Sequence, residues 1–389
     1  MAERDMGRPR RGPLERLVEL GQSPWLDFIQ RRLIESGELE RLIAEWGLRG
    51  ITSNPAIFRK AIAETEDYDR DIEQLARAGK SAAEIYETLT VADVGAAADV
   101  LRPVYDAADG ADGFVSLEVS PRLAADAGGT IAEAKRLWAA LARPNVLIKV
   151  PGTPEGLTAL RALLGEGVNV NVTLLFSVER YGEVLEAYLE GLEAAADAGH
   201  PLDSIASVAS FFLSRIDTLV DRELDEIGAR NGQRARIARA LRGEAAIASA
   251  RTAYEIYEEF VASPRYRRVA SRGGRPQRLL WASTGTKDPA YSDVKYVEAL
   301  IGSDTINTMP LETLRAYDDH GRPAPRLAGH IEESRRVLER LTELGIDPAD
   351  VAARLLSEGL EKFVTPYDAL LRTIENARRE ALGDGDSRE

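Results

Sequence analysis

Short apolar runs punctuate this chain, and the stretches between them carry apolar residues at helical spacing. Eight runs have the length and composition of strands: Trp25–Phe28, Gly50–Ser53, Phe114–Glu118, Val146–Val150, Val168–Val172, Ile205–Phe211, Leu279–Ser283 and Thr305–Met309. The clearest helix is Ser81–Val100, where Ser81 and Glu84 make a capping box and Ile85, Leu89, Ala92 and Ala96 share a face. Strands alternating with helices imply parallel pairing through right-handed crossovers. Eight such units predict an α/β fold, a closed (β/α)8 or TIM barrel with additional C-terminal helices. The competing open, doubly wound sheet lacks a Gly-rich dinucleotide fingerprint.

The connection from Ser214 to Gln277 reads as long and helical, with a breaker cluster at Ser271–Pro276. Arg322–Pro325 reads as a linker, and a late helix begins at Asp347 with Pro348 in its first turn. Residues 321–389 are therefore expected to form a helical extension packed on the barrel rather than a separate domain. The polar, Arg-rich start, Met1 to Pro13, has no apolar stretch of the kind a secretory signal needs. A disordered tail over residues 1–14 is expected, with the barrel filling 15–389. No segment reaches the roughly 18 consecutive apolar residues of a membrane helix, and the cytoplasm is the expected location.

Several strands break the rule that a buried parallel strand is apolar in both phases. From Val168 to Thr173 the valines form one face while Asn169, Asn171 and Thr173 form the other. Ser116 and Glu118 share a face with Phe114, and Lys149 alternates with Ile148 and Val150. Asp27 follows Trp25 by two residues, and Asn54 follows Thr52 by two. These polar residues sit toward the C-terminal ends of five consecutive strands, where barrel sites are built. For one lysine alone, a structural salt bridge to a neighbouring acid explains the pattern. For five strands in a row, a site explains it better.

Composition narrows the chemistry. The formal net charge of −14 argues against general nucleic-acid binding, because phosphate neutralisation needs clustered Lys and Arg. There is no cysteine, so thiol nucleophiles and thiolate metal sites are excluded. The three histidines, His200, His320 and His330, lack ligand spacing, so no metal site is expected. Lysine is scarce: seven against 43 arginines, the bias of a GC-rich genome. A lysine inside a strand therefore stands out. An apolar surrounding disfavours an ammonium and favours the neutral amine, a nucleophile toward carbonyls. The Schiff base formed is an electron sink for making or breaking an adjacent C–C bond, and Asp27 and Glu118 suit its acid–base steps.

The residues that carry this chemistry resemble a known family. Gly50-Ile51-Thr52-Ser53-Asn54-Pro55-Ala56-Ile57-Phe58 is similar to the T-[ST]-N-P signature of transaldolases. Asn145-Val146-Leu147-Ile148-Lys149-Val150-Pro151 resembles their active-site lysine motif. Val119-Ser120-Pro121-Arg122 after Glu118, and Asn171-Val172-Thr173-Leu174-Leu175-Phe176-Ser177, complete the pattern in family order. The match runs from about Trp25 to Pro310, and the stretch Trp281–Pro310 resembles the longer bacterial form.

The resemblance implies transfer of a dihydroxyacetone unit between sugar phosphates in the pentose phosphate pathway, with no cofactor and no membrane or nucleic-acid partner. By motif position it makes Lys149 the Schiff-base residue and Asp27 the general acid/base, with Glu118 and Thr173 holding a proton-relaying water. It assigns Asn54, Asn171 and Ser210 to the sugar, Arg215 to the phosphate, and Phe212 and Ser283 to the substrate site. One departure stands out. Shorter family members carry a second phosphate-binding arginine after the Ala-Ser pair of strand seven. Here Ala282-Ser283 is followed by Thr284-Gly285-Thr286-Lys287, which nominates Lys287 as a substitute point charge. A fructose 6-phosphate aldolase is the nearest alternative, but its relay uses Gln and Tyr where this chain has Glu118 and Phe212. A catalytically silent barrel used as a scaffold is the more distant one. Oligomeric state, monomer or homodimer, is not readable from the pattern.

Overall fold

Eight parallel strands, each bonded to the next in sequence and the last bonded back to the first, close a barrel in a computed structural model that describes residues 12–383. They are β1 Gln22–Leu26, β2 Gly50–Ile51, β3 Phe114–Glu118 and β4 Val146–Pro151. β5 is Val170–Leu175, β6 Ser207–Phe212, β7 Arg278–Ala282 and β8 Thr305–Met309. All eight expected runs are strands, and only their ends differ. β1 starts earlier than its apolar pattern because its polar residues find donors and acceptors at the barrel floor. There the Gln22 amide donates to the Leu300 carbonyl (2.7 Å) and to Thr305 Oγ1 (2.9 Å). β5 runs on to Leu175 through a break in register after Val172, where Leu174 takes a positive φ of 60°. That irregularity keeps Thr173 inside the barrel while the strand continues, the usual effect of a bulge.

The floor is closed by side chains from two strands and the turn before β3. Trp25 Nε1 donates to Asp112 (2.9 Å), Arg278 donates to Ser23 Oγ (2.7 Å), and Arg278 lies 3.7 Å from the Asp112 carboxylate. The buried ion pair at the bottom of the barrel is thus Arg278–Asp112, and Lys149 sits at the opposite end.

Four helices, Ser214–Gly228, Gln233–Leu241, Ala245–Ala262 and Pro264–Ala270, fill the connection between β6 and β7. The capping box forms as expected: Ser81 Oγ accepts from the Glu84 N–H, and the Glu84 carboxylate accepts from the Ser81 N–H (2.9 Å). The first helix, Pro13–Glu19, takes in Pro13 and buries Leu14, so the expected tail ends sooner than residue 14. Its remainder up to residue 11 lies outside the described residues.

After β8 come helices Leu311–His320, Ile331–Glu343 and Pro348–Leu382. Asp347 caps the last of these by accepting from the Ala349 N–H (2.9 Å). Its buried residues, Val351, Leu355, Gly359, Phe363, Tyr367, Leu370 and Ile374, recur every three or four positions and form one stripe. That stripe lies on helices Pro55–Ala63, Asp69–Arg77 and Ala82–Ala107 and reaches β5, so the long C-terminal helix crosses the end of the barrel where the strands finish. Among the described residues, no helix is long and apolar enough to cross a membrane.

Gly50 permits close packing in the barrel, since a Cβ there would overlap the Trp25 indole. Overpacking of this kind costs about 1–3 kcal/mol. Gly50→Ala is expected to lower the urea midpoint by that free energy divided by an unchanged m-value, and an unaltered midpoint would show that the indole moves aside freely.

Candidate active site

The inward phase of the strands is rich in polar residues toward the C-terminal ends, which concentrates polar groups under the long helix. β3 and β4 pair Glu118 with Lys149 directly across the ladder, so the two side chains share a face. The ammonium lies 3.9 Å from Glu118 Oε2, and both side chains are about 95 % buried (5 % and 6 % exposed). Lys149 Nζ also donates to the Ser53 carbonyl (3.1 Å). Ser53 leaves the β2 ladder and ties down the same corner by donating its hydroxyl to the Ser116 carbonyl (2.7 Å).

From there a belt of bonds runs around the barrel. Asn171 Nδ2 donates to Ser116 Oγ (3.1 Å), and Ser210 Oγ donates to Asn171 Oδ1 (2.7 Å). On the other side Thr52 donates to Asp27 Oδ1 (2.7 Å) and is itself 2.7 Å from the Thr308 hydroxyl. Since Thr52 has one proton, Thr308 is the donor in the second bond. Asn54 caps helix Pro55–Ala63 by accepting from the Ile57 N–H (3.0 Å), which leaves its amide nitrogen uncommitted. The Glu118 Oε2, the Thr173 hydroxyl and Arg215 Nη1 are buried without any hydrogen-bond partner. Unsatisfied buried groups are costly, and three in one region mark a place shaped for something else to bond.

These groups surround one cavity of about 340 Å³, lined among others by Asp27, Asn54, Lys149, Thr173, Ser210, Phe212, Arg215, Ser283 and Lys287. Two expected residues do not line it. Glu118 reaches the site through Lys149, and Asn171 is fully buried with both ends of its amide already bonded. Asn171 is therefore placed to orient Ser210 rather than to meet a ligand. Several lining residues carried no assignment from sequence. Thr52 and Thr308 lie beside Asp27, Lys60 comes from helix Pro55–Ala63, and Lys362 and Phe363 come from the long C-terminal helix. Thr52 stood within the quoted signature, whereas nothing local marked Thr308, Lys362 or Phe363.

Burial sets the electrostatics. Desolvation pushes the Glu118 carboxyl up to about 7, against the opposing pull of Lys149. Asp27 is raised for the same reason, with Lys149, the Thr52 bond and Arg215 pulling the other way. Burial also disfavours the Arg215 charge, only partly offset by Asp27, Glu358 and Glu118. Its guanidinium lies over Phe212 (5.2 Å to the ring centre) and Phe363 (6.0 Å), at the first turn of helix Ser214–Gly228. An under-paired guanidinium at a helix N-terminus favours an oxyanion. Ser283 adds a strained feature, a non-glycine at φ 56° whose hydroxyl bonds Ser214 Oγ (2.9 Å).

The family model for Transaldolase/Fructose-6-phosphate aldolase matches residues 24–374. The chain belongs to this family. Curated relatives support the same placement. A protein named transaldolase from Saccharopolyspora erythraea is 49% identical over 93% of this chain and 96% of its own length. Transaldolases from Trichodesmium erythraeum (48%, over 92% and 96%) and Thermobifida fusca (49%, over 93% and 97%) are similarly related. The family match extends into the long C-terminal helix, to residue 374, beyond the end of β8 where the motif resemblance stopped.

The Glu118 environment has a direct readout. An ordinary glutamate loses its proton near pH 4.5, whereas this one keeps it to about 7: neutral below, carboxylate above. Difference infrared spectra of wild type against Glu118→Gln should show a carboxyl band disappearing near pH 7. Loss of that band near pH 4.5 would mean that solvent reaches the group.

Proposed function

We propose that this chain is a transaldolase that moves a dihydroxyacetone unit from sedoheptulose 7-phosphate to glyceraldehyde 3-phosphate through a Schiff base on Lys149. The observation that carries the reading is the nearly dry pairing of the Lys149 amine with the Glu118 carboxyl at 3.9 Å beside a cavity that also holds Asp27. The names of the relatives support it independently.

The neutral Lys149 amine adds to the C2 carbonyl of the ketose. Addition first requires one proton to pass from nitrogen to the new alkoxide, giving the carbinolamine, and a second proton must then reach the hydroxyl so that water leaves and a protonated iminium remains. Glu118, poised near neutrality, can serve both transfers through a water held with the free Thr173 hydroxyl. Asp27 takes the C4 hydroxyl proton as the C3–C4 bond breaks, its electrons flowing into the iminium to give an enamine. Erythrose 4-phosphate leaves. The enamine carbon attacks the aldehyde of glyceraldehyde 3-phosphate, Asp27 returns the proton, and hydrolysis releases fructose 6-phosphate. Asn54 and Ser210 would hold sugar hydroxyls, with Arg215 at the phosphate.

Release of free dihydroxyacetone is the other activity in the family's name. Transfer is favoured here because the first relatives are named transaldolase and the position beside Lys149 is a glutamate. The acid–base demands of either reaction are met by protein side chains alone. A cytoplasmic setting fits such substrates.

Borohydride reduction with fructose 6-phosphate is expected to fix a dihydroxyacetone-derived mass on the Lys149 peptide, and Lys149→Arg is expected to abolish both the adduct and turnover. No adduct on the wild-type enzyme would falsify the Schiff-base reading. Steady release of dihydroxyacetone without an acceptor aldehyde, at the rate of transfer, would assign the chain to the aldolase branch instead.

A further inference from the structure

Lysine is rare in this chain and is not scattered. Of seven lysines, four line the active-site cavity: Lys60, Lys149, Lys287 and Lys362. The three elsewhere each pair with a carboxylate: Lys80 with Glu84 (3.6 Å), Lys135 with Glu166, and Lys295 with Asp217 (3.1 Å). Lys60 and Lys287, by contrast, have no ion-pair partner among the described residues. Lys362 has only Glu358, four residues back on the same exposed helix face (3.3 Å). Exposed pairs of that kind are weak and readily exchanged. The three exposed lysines come from helix Pro55–Ala63, the loop after β7 and the long C-terminal helix, so the fold alone assembles them around one opening. Among the described residues, Asp27, beside Lys149, is the only carboxylate in the lining.

We propose that Lys60, Lys287 and Lys362 form a cationic collar that captures the phosphomonoester dianion of the substrate and passes it to Arg215. This rests on the transaldolase reading and extends it to the C-terminal helix, which becomes a working part of the active site. The collar concentrates positive charge at one opening of a chain whose net charge is −14 and would otherwise repel its substrates. The division of labour follows from side-chain chemistry. Arg215 is planar and held against Phe212 and Phe363, suited to holding a phosphate in one orientation. An ammonium on a flexible stem can follow an arriving phosphate and let a departing product go. Where 43 basic positions are arginine, three lysines at one mouth meet that second need. The collar also answers the missing second arginine after β7, since Lys287 there is joined by Lys60 and Lys362.

Charge-removing variants test the collar. Lys60→Gln, Lys287→Gln and Lys362→Gln, alone and combined, are assayed with glyceraldehyde 3-phosphate and with unphosphorylated glyceraldehyde as acceptors over a range of salt. The triple variant is expected to lose about tenfold or more in kcat/KM for the phosphorylated acceptor, mainly through KM, and to lose most of the salt dependence. Its preference for the phosphorylated over the unphosphorylated acceptor should collapse. Lys135→Gln, remote from the cavity, controls for charge removal in general and should behave as wild type. An unchanged phosphate preference or salt dependence in the triple variant would overturn the collar. So would a complete effect from Lys287→Gln alone, which would reduce the collar to a single residue. Failure of the transaldolase reading looks different: wild type would then form no borohydride-trapped adduct at Lys149 with unphosphorylated dihydroxyacetone.

Discussion

Closure of the barrel is the constraint from which the rest follows. Once β8 bonds to β1, no strand edge is left, and each strand must point every second side chain at a shared axis. Parallel strands all end at the same face, so whatever polar residues occupy their last inward positions are brought together. Glu118 and Lys149 meet because β3 and β4 are adjacent and in register, and Asp27 joins them from β1 through its bond with Thr52. The floor has its own polar cluster, Asp112 with Trp25, Ser23 and Arg278, whose members bond one another at the end opposite Lys149.

Burying Lys149 and Glu118 together takes two ionisable groups out of water, and at 3.9 Å their attraction does not restore what solvation supplied. The raised Glu118 carboxyl is the visible result. A carboxyl held near neutrality beside the lysine suits repeated proton transfer at neutral pH. The surrounding belt of Ser53, Ser116, Asn171 and Ser210 is by contrast fully bonded, which fixes the geometry around the pair.

The long C-terminal helix completes the site from above. Its buried stripe places Gly359 where a Cβ would sit 3.1 Å from Leu174 and 3.5 Å from the Arg215 guanidinium. That close approach brings Phe363, one turn on, over the same guanidinium. The family match includes this helix, and the position of Phe363 and Lys362 in the cavity gives a physical reason for it to be part of the enzyme's body.

Much of this was legible in the chain. Alternation of apolar and polar residues exposed the eight strands, because a side chain's face is decided by period two within a few residues. The lysine inside β4 and the carboxylate ending β3 were visible for the same reason, and the family motifs named Asp27, Asn54 and Arg215 as their companions. Strand ends were less legible, since Gln22 and Ser23 are polar residues whose partners, Thr305 and Arg278, lie far along the sequence. The tertiary structure alone decided which polar residues face the cavity and which stand behind it, as with Asn171, whose bonds come from β3 and β6. It alone brought Thr308, Lys362 and Phe363 to the site, because a contact between elements distant in sequence leaves no periodic trace in either one. Local pattern determined the barrel and its reactive centre; the packing of a helix across its mouth decided what surrounds the substrate.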